Sequence, residues 1–237
     1  MLYLPLVKAD IYDYIYPFQR PSYSNYGGLG LIQNPTARFY QEGTLAFTWS
    51  HNEPYLRGSI VAYPFNWMEA AFQYTDVNNE LYSQVRDFSG SQTLKDKSFD
   101  VKFKLINEAN YLPQVAVGLR DFGGTGRFAS EYIIANKFVT RNLDISFGIG
   151  WANLNGNKIS NPLTKLSSSF ETRNSKANLG GQLKLKDFFS GSAGYFGGFE
   201  YSIPNFHGMK VKLELDGTNY QTESRPLLQK SKINYGI

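Results

Sequence analysis

From Leu143 the chain places Leu143, Ile145, Phe147, Ile149 and Trp151 at every second position, with Asp144, Ser146, Gly148 and Gly150 between them. Side chains two apart share one face of a strand, so this spacing predicts a strand with one apolar side and one polar or small side. The same pattern recurs. Leu45, Phe47 and Trp49 alternate with Ala46 and Thr48, and Met68, Ala70, Phe72 and Tyr74 alternate with Glu69, Ala71 and Gln73. Phe99–Leu105, Val115–Leu119, Tyr195–Tyr201 and Met209–Leu215 follow suit, with less regular stretches near Leu56–Tyr63 and Phe128–Phe138. About nine segments result, each near the ~9–11 residues with which a tilted strand crosses a bilayer. A tenth begins near Ile233, and because bacterial barrels close with even strand numbers, the chain is expected to stop inside a barrel.

The connections alternate in length. Short turns are expected at Pro64–Asn66, Glu108–Pro113, Thr140–Asn142 and Pro204–Gly208, and long polar loops at Asp76–Ser98, Asn153–Ser192 and Gln221–Lys232. This alternation predicts an all-β, antiparallel up-and-down transmembrane β-barrel with short periplasmic turns and long outer loops. Trp49, Tyr63, Phe65, Trp67 and Trp151 fall near strand ends, where amphipathic rings would sit at the lipid headgroups. The soluble alternative is a lipocalin-like barrel with the apolar face inward, but nine apolar strand faces with no helix to cover them exceed what a small core takes in.

Composition sharpens this picture. Aromatic residues reach 16% while mean hydropathy is only −0.37, a combination that fits lipid-facing positions alternating with a wet lumen. No run approaches the roughly 20 apolar residues of a membrane-spanning helix. Cysteine is absent, which is compatible with an oxidising envelope but weakly informative. The charge of +4 is spread among acidic residues rather than gathered in a basic block, which argues against nucleic acid as a partner. Residues 1–9 read as a truncated signal-peptide remnant, with Val7 and Ala9 in the cleavage pattern, or equally as an ordinary apolar terminus. Residues 10–43 form a lead-in carrying Pro35-Thr36-Ala37-Arg38, which either plugs or lines the barrel mouth or stays in the periplasm, and 44–237 form the barrel.

Several blocks resemble one family. They are Gly28-Leu29-Gly30-Leu31-Ile32-Gln33-Asn34-Pro35-Thr36-Ala37-Arg38, Pro54-Tyr55, Pro64-Phe65-Asn66-Trp67-Met68-Glu69-Ala70, and the run from Leu94 to Lys102. The most specific is Gly118-Leu119-Arg120-Asp121-Phe122-Gly123-Gly124-Thr125-Gly126, followed by Ser130-Glu131-Tyr132, Gly148-Ile149-Gly150-Trp151 and Phe196–Tyr201. Together they resemble the YjbH-type outer-membrane proteins, often labelled exopolysaccharide biosynthesis proteins, from about Gly27 to the C-terminus. The resemblance implies a Gram-negative outer-membrane barrel associated with exopolysaccharide or group 4 capsule genes. Its implied role is to assist polymer export or attachment at the surface, with outer-membrane lipid, polysaccharide and periplasmic export proteins as partners. Family members are longer, so the chain resembles their N-terminal portion.

The polar side of the strands supplies the candidate lumen-facing residues Glu69, Gln73, Asp100, Lys102, Lys104, Arg120, Glu131, Glu200, Lys210, Lys212 and Glu214. They would either line a path for a sugar polymer or neutralise one another across strands in a filled lumen. Arg120 and Glu131, on neighbouring strands, are expected to pair. Gly123–Gly126 opens no helix, so a tight turn is expected there rather than a phosphate cradle. His51 and His207 are expected at opposite ends of the barrel, unable to share a metal or build a nucleophile site. The resulting expectation is a non-enzymatic protein without cofactor or metal. A carboxylate-pair glycosidase using Glu69 or Glu131 is the weaker alternative.

Overall fold

The computed structural model describes residues 20–173, 187–206, 208–223 and 225–237. Residues 1–9, the start of the lead-in and His207 lie outside them. Eleven strands form one antiparallel sheet: β1 (Leu45–Asn52), β2 (Tyr55–Phe65), β3 (Met68–Leu81), β4 (Thr93–Ile106), β5 (Gln114–Arg120), β6 (Ser130–Thr140), β7 (Leu143–Trp151), β8 (Lys158–Ile159), β9 (Ala193–Ser202), β10 (Lys210–Leu215) and β11 (Ile233–Gly236). Each long strand pairs with the next in sequence, β7 passing directly to β9, while two-residue β8 is a side branch on β9. The order opens at β1 and ends at β11, and these two are not paired with each other. The sheet is therefore open, with two free edges. Among the described residues the longest α-helix is a single turn, α1 (Arg86–Ser89), and no helix is long and apolar enough to cross a membrane.

Short connections gather at one end of the sheet as expected, but the β1–β2 turn at the other end is also short, and one expected loop is mostly strand. The stretch Asp76–Ser98 is mostly strand: β3 runs to Leu81 and β4 begins at Thr93. Its polar residues suggested a loop, but they pair across the two strands instead. Asp76 stands in register with Lys95, and the two are ion-paired, with Thr93 also bonded to Asp76. Opposite charges directly across an antiparallel pair support a strand as well as apolar residues do.

The faces divide sharply. On β7, Asp144 and Ser146 are buried while Phe147 is 58% exposed. On β1, Phe47 and Trp49 are 69% and 64% exposed. Polar side chains are covered and apolar ones are bare. The cover is the segment 20–43. Tyr26, Leu29, Leu31, Asn34 and Ala37 are each buried on the polar face, where Ala37, Tyr26 and Leu29 each join strand residues in a small cluster, such as Leu29 with Val61, Tyr63 and Ala71. The sheet must curl to hold this segment. Tyr55 of β2 bonds Glu223 beyond β10, although β2 and β10 stand second and ninth in the strand order, a flat separation of about 34 Å.

Two aromatics expected at an interface are elsewhere. Tyr63 shares the inner face with Arg57, Ser59 and Val61 and is fully buried. The apolar and polar positions of β2 do not separate cleanly by face, and the Tyr63 hydroxyl finds a carboxylate inside. Trp151 is buried because the 187–190 segment folds over the end of β7, setting Phe189 edge-on at 5.1 Å. Trp49, Phe65 and Trp67 are exposed on the apolar side. Phe65 stacks on Trp67, and Trp67 on Phe103, at the short-turn end.

Candidate functional site

The site is the polar face together with the segment that occupies it. This segment has almost no strand partners of its own, so its backbone N–H and C=O groups must be satisfied by side chains. Glu214, fully buried on β10, accepts the N–H groups of Ile32, Gln33 and Asn34 at 2.9, 2.8 and 3.2 Å, plus the Asn234 amide at 2.9 Å. Beside it, Lys212 donates to the Leu31 carbonyl at 2.7 Å, and the Asn34 amide donates to the Leu215 carbonyl at 2.8 Å. One carboxylate thus receives three consecutive peptide donors, a charge-assisted arrangement stronger than neutral hydrogen bonds.

A second anchor is Glu69 on β3. It accepts from Lys102 at 3.0 Å, from the Tyr63 hydroxyl at 2.7 Å and from the Leu29 N–H at 3.2 Å. Lys102 is 1% exposed, so this is a desolvated ion pair kept in balance by the added donors. The third anchor is Arg38. Its guanidinium forks onto Asp144 at 2.8 and 2.7 Å, reaches Glu108 at 2.5 Å and stacks over Phe138 at 4.2 Å. Burial works against the charge of Arg38, but Asp144 and Glu108 outweigh it and hold the guanidinium more firmly protonated than usual. Burial would raise the Glu108 carboxyl, yet Arg38 and Lys137 together hold it below the usual carboxylate range.

The remaining candidates divide clearly. Gln73 bonds Ser59 at 3.0 Å. Asp100 accepts the Asp121 N–H at 2.8 Å. Lys104 lies over the Phe39 ring at 5.4 Å. Glu200 takes bonds from Lys210 and from Ser22 of the segment, with Lys212 at 3.9 Å. All of these share the inner face. Glu131 does not. It stands opposite Leu119 in the β5–β6 register, on the outer side. There a cap of loop buries it, with Arg173 forking onto it at 2.6 and 2.8 Å and the Phe189 N–H at 3.1 Å. The expected Arg120–Glu131 pair is therefore not formed, because β6 turns Ser130, Tyr132, Ile134 and Asn136 inward. Arg120 instead donates to the Gln33 carbonyl at 3.1 Å and lies over the Tyr26 ring at 4.2 Å.

Two inner residues escaped the sequence reading. Arg57 is buried among Tyr26, Tyr55 and Phe128, with the first two rings 4.3 Å from its guanidinium, and its Nε and Nη2 have no hydrogen-bond partner. Its only sequence signal is a basic residue amid an apolar strand. Asp121 adopts a left-handed backbone at φ 48° and turns its carboxylate inward to accept the Phe128 N–H at 3.0 Å. Burial, helped by the neighbouring Asp96 and Asp100 charges, pushes its carboxyl up to about 7. Gly126, in the same loop, has φ 78°, the turn geometry expected of Gly123–Gly126. Gly118, at the head of this motif, lies under the Tyr132 ring, whose Cζ is 2.2 Å from where a Cβ would be.

The chemistry of the face is mutual neutralisation. The space left between the segment and Glu69, Lys102, Arg120 and Tyr132 is about 10 Å³, close to the minimum for one water. Glu69 and Glu131, the carboxylates considered for glycoside cleavage, are on opposite faces. His51 bonds Glu53 at 3.0 Å near the surface. Among the described residues, no group of three or more His, Cys, Asp or Glu side chains is placed to hold a metal.

An antiparallel sheet with its polar face filled by its own N-terminal segment defines the class. Residues 22–237 match the model of the family described as exopolysaccharide biosynthesis protein YbjH, and the chain belongs to this YjbH family. It is 43% identical over 234 residues to a protein of Escherichia coli (strain K12) called uncharacterized lipoprotein YjbH, the match covering 97% of this chain. The chain spans 33% of the length of that relative. No solved structure matches.

Proposed function

We propose that this chain forms part of the wall of an outer-membrane β-barrel that assists export or surface assembly of exopolysaccharide, without catalysing a reaction. The observation that carries this reading is the inversion of the two faces. Phe47, Trp49, Phe147 and Leu105 are bare, while Glu69, Lys102, Arg120 and Glu214 are covered. A water-soluble sheet gains by the opposite arrangement, whereas lipid takes up the apolar face. The stacked Phe65, Trp67 and Phe103 at the short-turn end suit a headgroup boundary. Family membership connects the chain to exopolysaccharide biosynthesis, and the lipoprotein name of the E. coli relative points to the cell envelope.

A second reading is a permanently filled barrel that docks periplasmic partners, and the roughly 10 Å³ left beside Glu69, Lys102 and Arg120 favours it. The test begins with the full-length protein in outer-membrane fractions. Faster gel migration of the unboiled sample, together with membrane fractionation, is the expected result. Boiling-independent migration in a soluble fraction would overturn the barrel. Planar-bilayer conductance then separates the two readings: an open or openable pore supports passage, and a pore closed under all conditions supports docking.

A further inference from the structure

Two carboxylates at the long-loop end are buried without a counter-ion. Asp96, near the start of β4, is 2% exposed, and Asp121, in the loop joining β5 to β6, is 3% exposed. Neither belongs to an ion pair among the described residues. Other buried acids are answered, Glu69 by Lys102, Asp144 by Arg38 and Glu131 by Arg173. Thr125 Oγ1 donates to Asp96 Oδ1, and the Phe128 N–H donates to Asp121 Oδ2 at 3.0 Å. The second oxygens, Asp96 Oδ2 and Asp121 Oδ1, are buried with no hydrogen-bond partner. A buried carboxylate is ordinarily paired with a cation or ligates a metal.

The surroundings make this pocket of charge more negative. The side-chain charges that bear most on Asp121 are the carboxylates of Asp96 and Asp100. The loop is also drawn tight over the unpartnered oxygen. A Cβ on Gly124 would stand 2.2 Å from Asp121 Oδ1 and 2.3 Å from the Lys97 carbonyl oxygen, so only glycine lets the backbone pass, and both oxygens converge on one side of it. Thr125, exposed at the crest of the loop, sets its hydroxyl beside Asp96.

The donors gathered here are all oxygen: two carboxylates, a hydroxyl and a main-chain carbonyl. The set holds neither the imidazole nor the thiolate that zinc favours. Calcium accepts irregular oxygen shells, whereas magnesium demands a near-regular octahedron. We propose that Asp96 and Asp121 bind a calcium ion at the β5–β6 loop, with Thr125 and the Lys97 carbonyl as further donors. Two carboxylates leave the rest of the shell to water, which corresponds to a Kd on the order of 10⁻⁴–10⁻³ M. The site uses one hairpin loop and the adjoining strand, so it stands or falls independently of the barrel reading.

The test is hydrogen exchange of residues 122–129 in the full-length protein in detergent at pH 8, with about 1 mM CaCl2 or with KCl of equal ionic strength. At that pH the Asp121 carboxyl, which burial and the Asp96 charge push up to about 7, is ionised. Calcium is expected to slow exchange by about two- to tenfold, the span that these affinities give by mass action, and KCl is not. Asp96→Asn and Asp121→Asn keep the oxygens that hold Thr125 and Phe128 but remove the charge, and each is expected to abolish the calcium effect. Equal protection by KCl overturns the proposal. So does an absence of protection by calcium, which would mean that the two carboxylates share a proton instead. A calcium effect that survives either substitution overturns it as well, by placing the ion elsewhere. The comparison of calcium with KCl is made on the parent protein, so a variant that fails to fold leaves that test intact.

Discussion

The inner and outer faces of β7 are built from one run of nine residues and obey opposite rules. Inward, Asp144 and Ser146 are buried, and Asp144 is tied to Arg38 and Asn136. Outward, Ile145 and Phe147 have no cover. Burial on the inside is specified by hydrogen bonds and charge, which demand particular partners at particular distances. The outside asks only for apolar bulk. A substitution should therefore be judged by its face before its chemistry, and the same new charge should behave differently on the two sides.

The largest expected effect is on the inner face. Arg38→Ala leaves the buried Asp144 without its cation and strips half-buried Glu108 of one of its two, Lys137 remaining, and removing one partner of such a cluster costs about 3–5 kcal/mol. Denaturant unfolding of the full-length protein in detergent measures it. A loss below about 1 kcal/mol, the level of an exposed pair, would mean that the segment is loosely held and that the contrast between the faces is overstated. Next comes Phe147→Arg on the outer face. In lipid an arginine there costs about 2–4 kcal/mol near the bilayer midplane, whereas at a water-exposed position surface changes stay within about 0.5 kcal/mol. Unfolding in vesicles and in detergent, compared with the parent protein, tells which solvent this face meets.

The smallest effect is electrostatic and confined to a loop. The Asp121 carboxyl sits at about 7 in the folded protein against an ordinary 3.8. The folded loop thus holds a proton that the opened loop releases. Its stabilising contribution is full below about 3.8 and is lost as pH rises through about 7. Hydrogen exchange of residues 122–129 should accordingly speed up between pH 5 and pH 8, beyond the intrinsic chemical trend. Asp121→Asn, which keeps a side chain tolerant of the left-handed backbone, should flatten that added slope. An identical slope in both proteins would assign it to another group.

Much of the sheet was legible because alternation is a local signal. Leu143–Trp151 and Leu45–Trp49 declare strand and its two faces without help from the rest of the chain. What failed was decided at a distance. In β6, Tyr132, Ile133 and Ile134 are apolar in succession, so nothing local says which face turns inward, and Glu131, expected inside, stands outside. Trp151 follows the alternation of β7 but is covered by Phe189, 38 positions further along the chain. The strand extensions at Asp76–Leu81 and Thr93–Ser98 are polar enough to read as loop, and only the Asp76–Lys95 pairing across the strands explains them. The segment 20–43 has no period at all, since its partners are side chains such as Glu214, 180 to 182 positions away. Arg38 in that segment, and an acidic Asp144 between Leu143 and Ile145, are the available hints of their pairing.

The grip of Glu214 on three successive peptide N–H groups has a consequence for tolerance to substitution. A carboxylate that holds the main chain does not read the side chains attached to it, so a substitution at 32 or 33 leaves this grip in place. Side chains on the segment can then change without loosening it, whereas the anchoring carboxylate itself has no such latitude. Latitude and constraint are thereby assigned to different atoms of the same few residues.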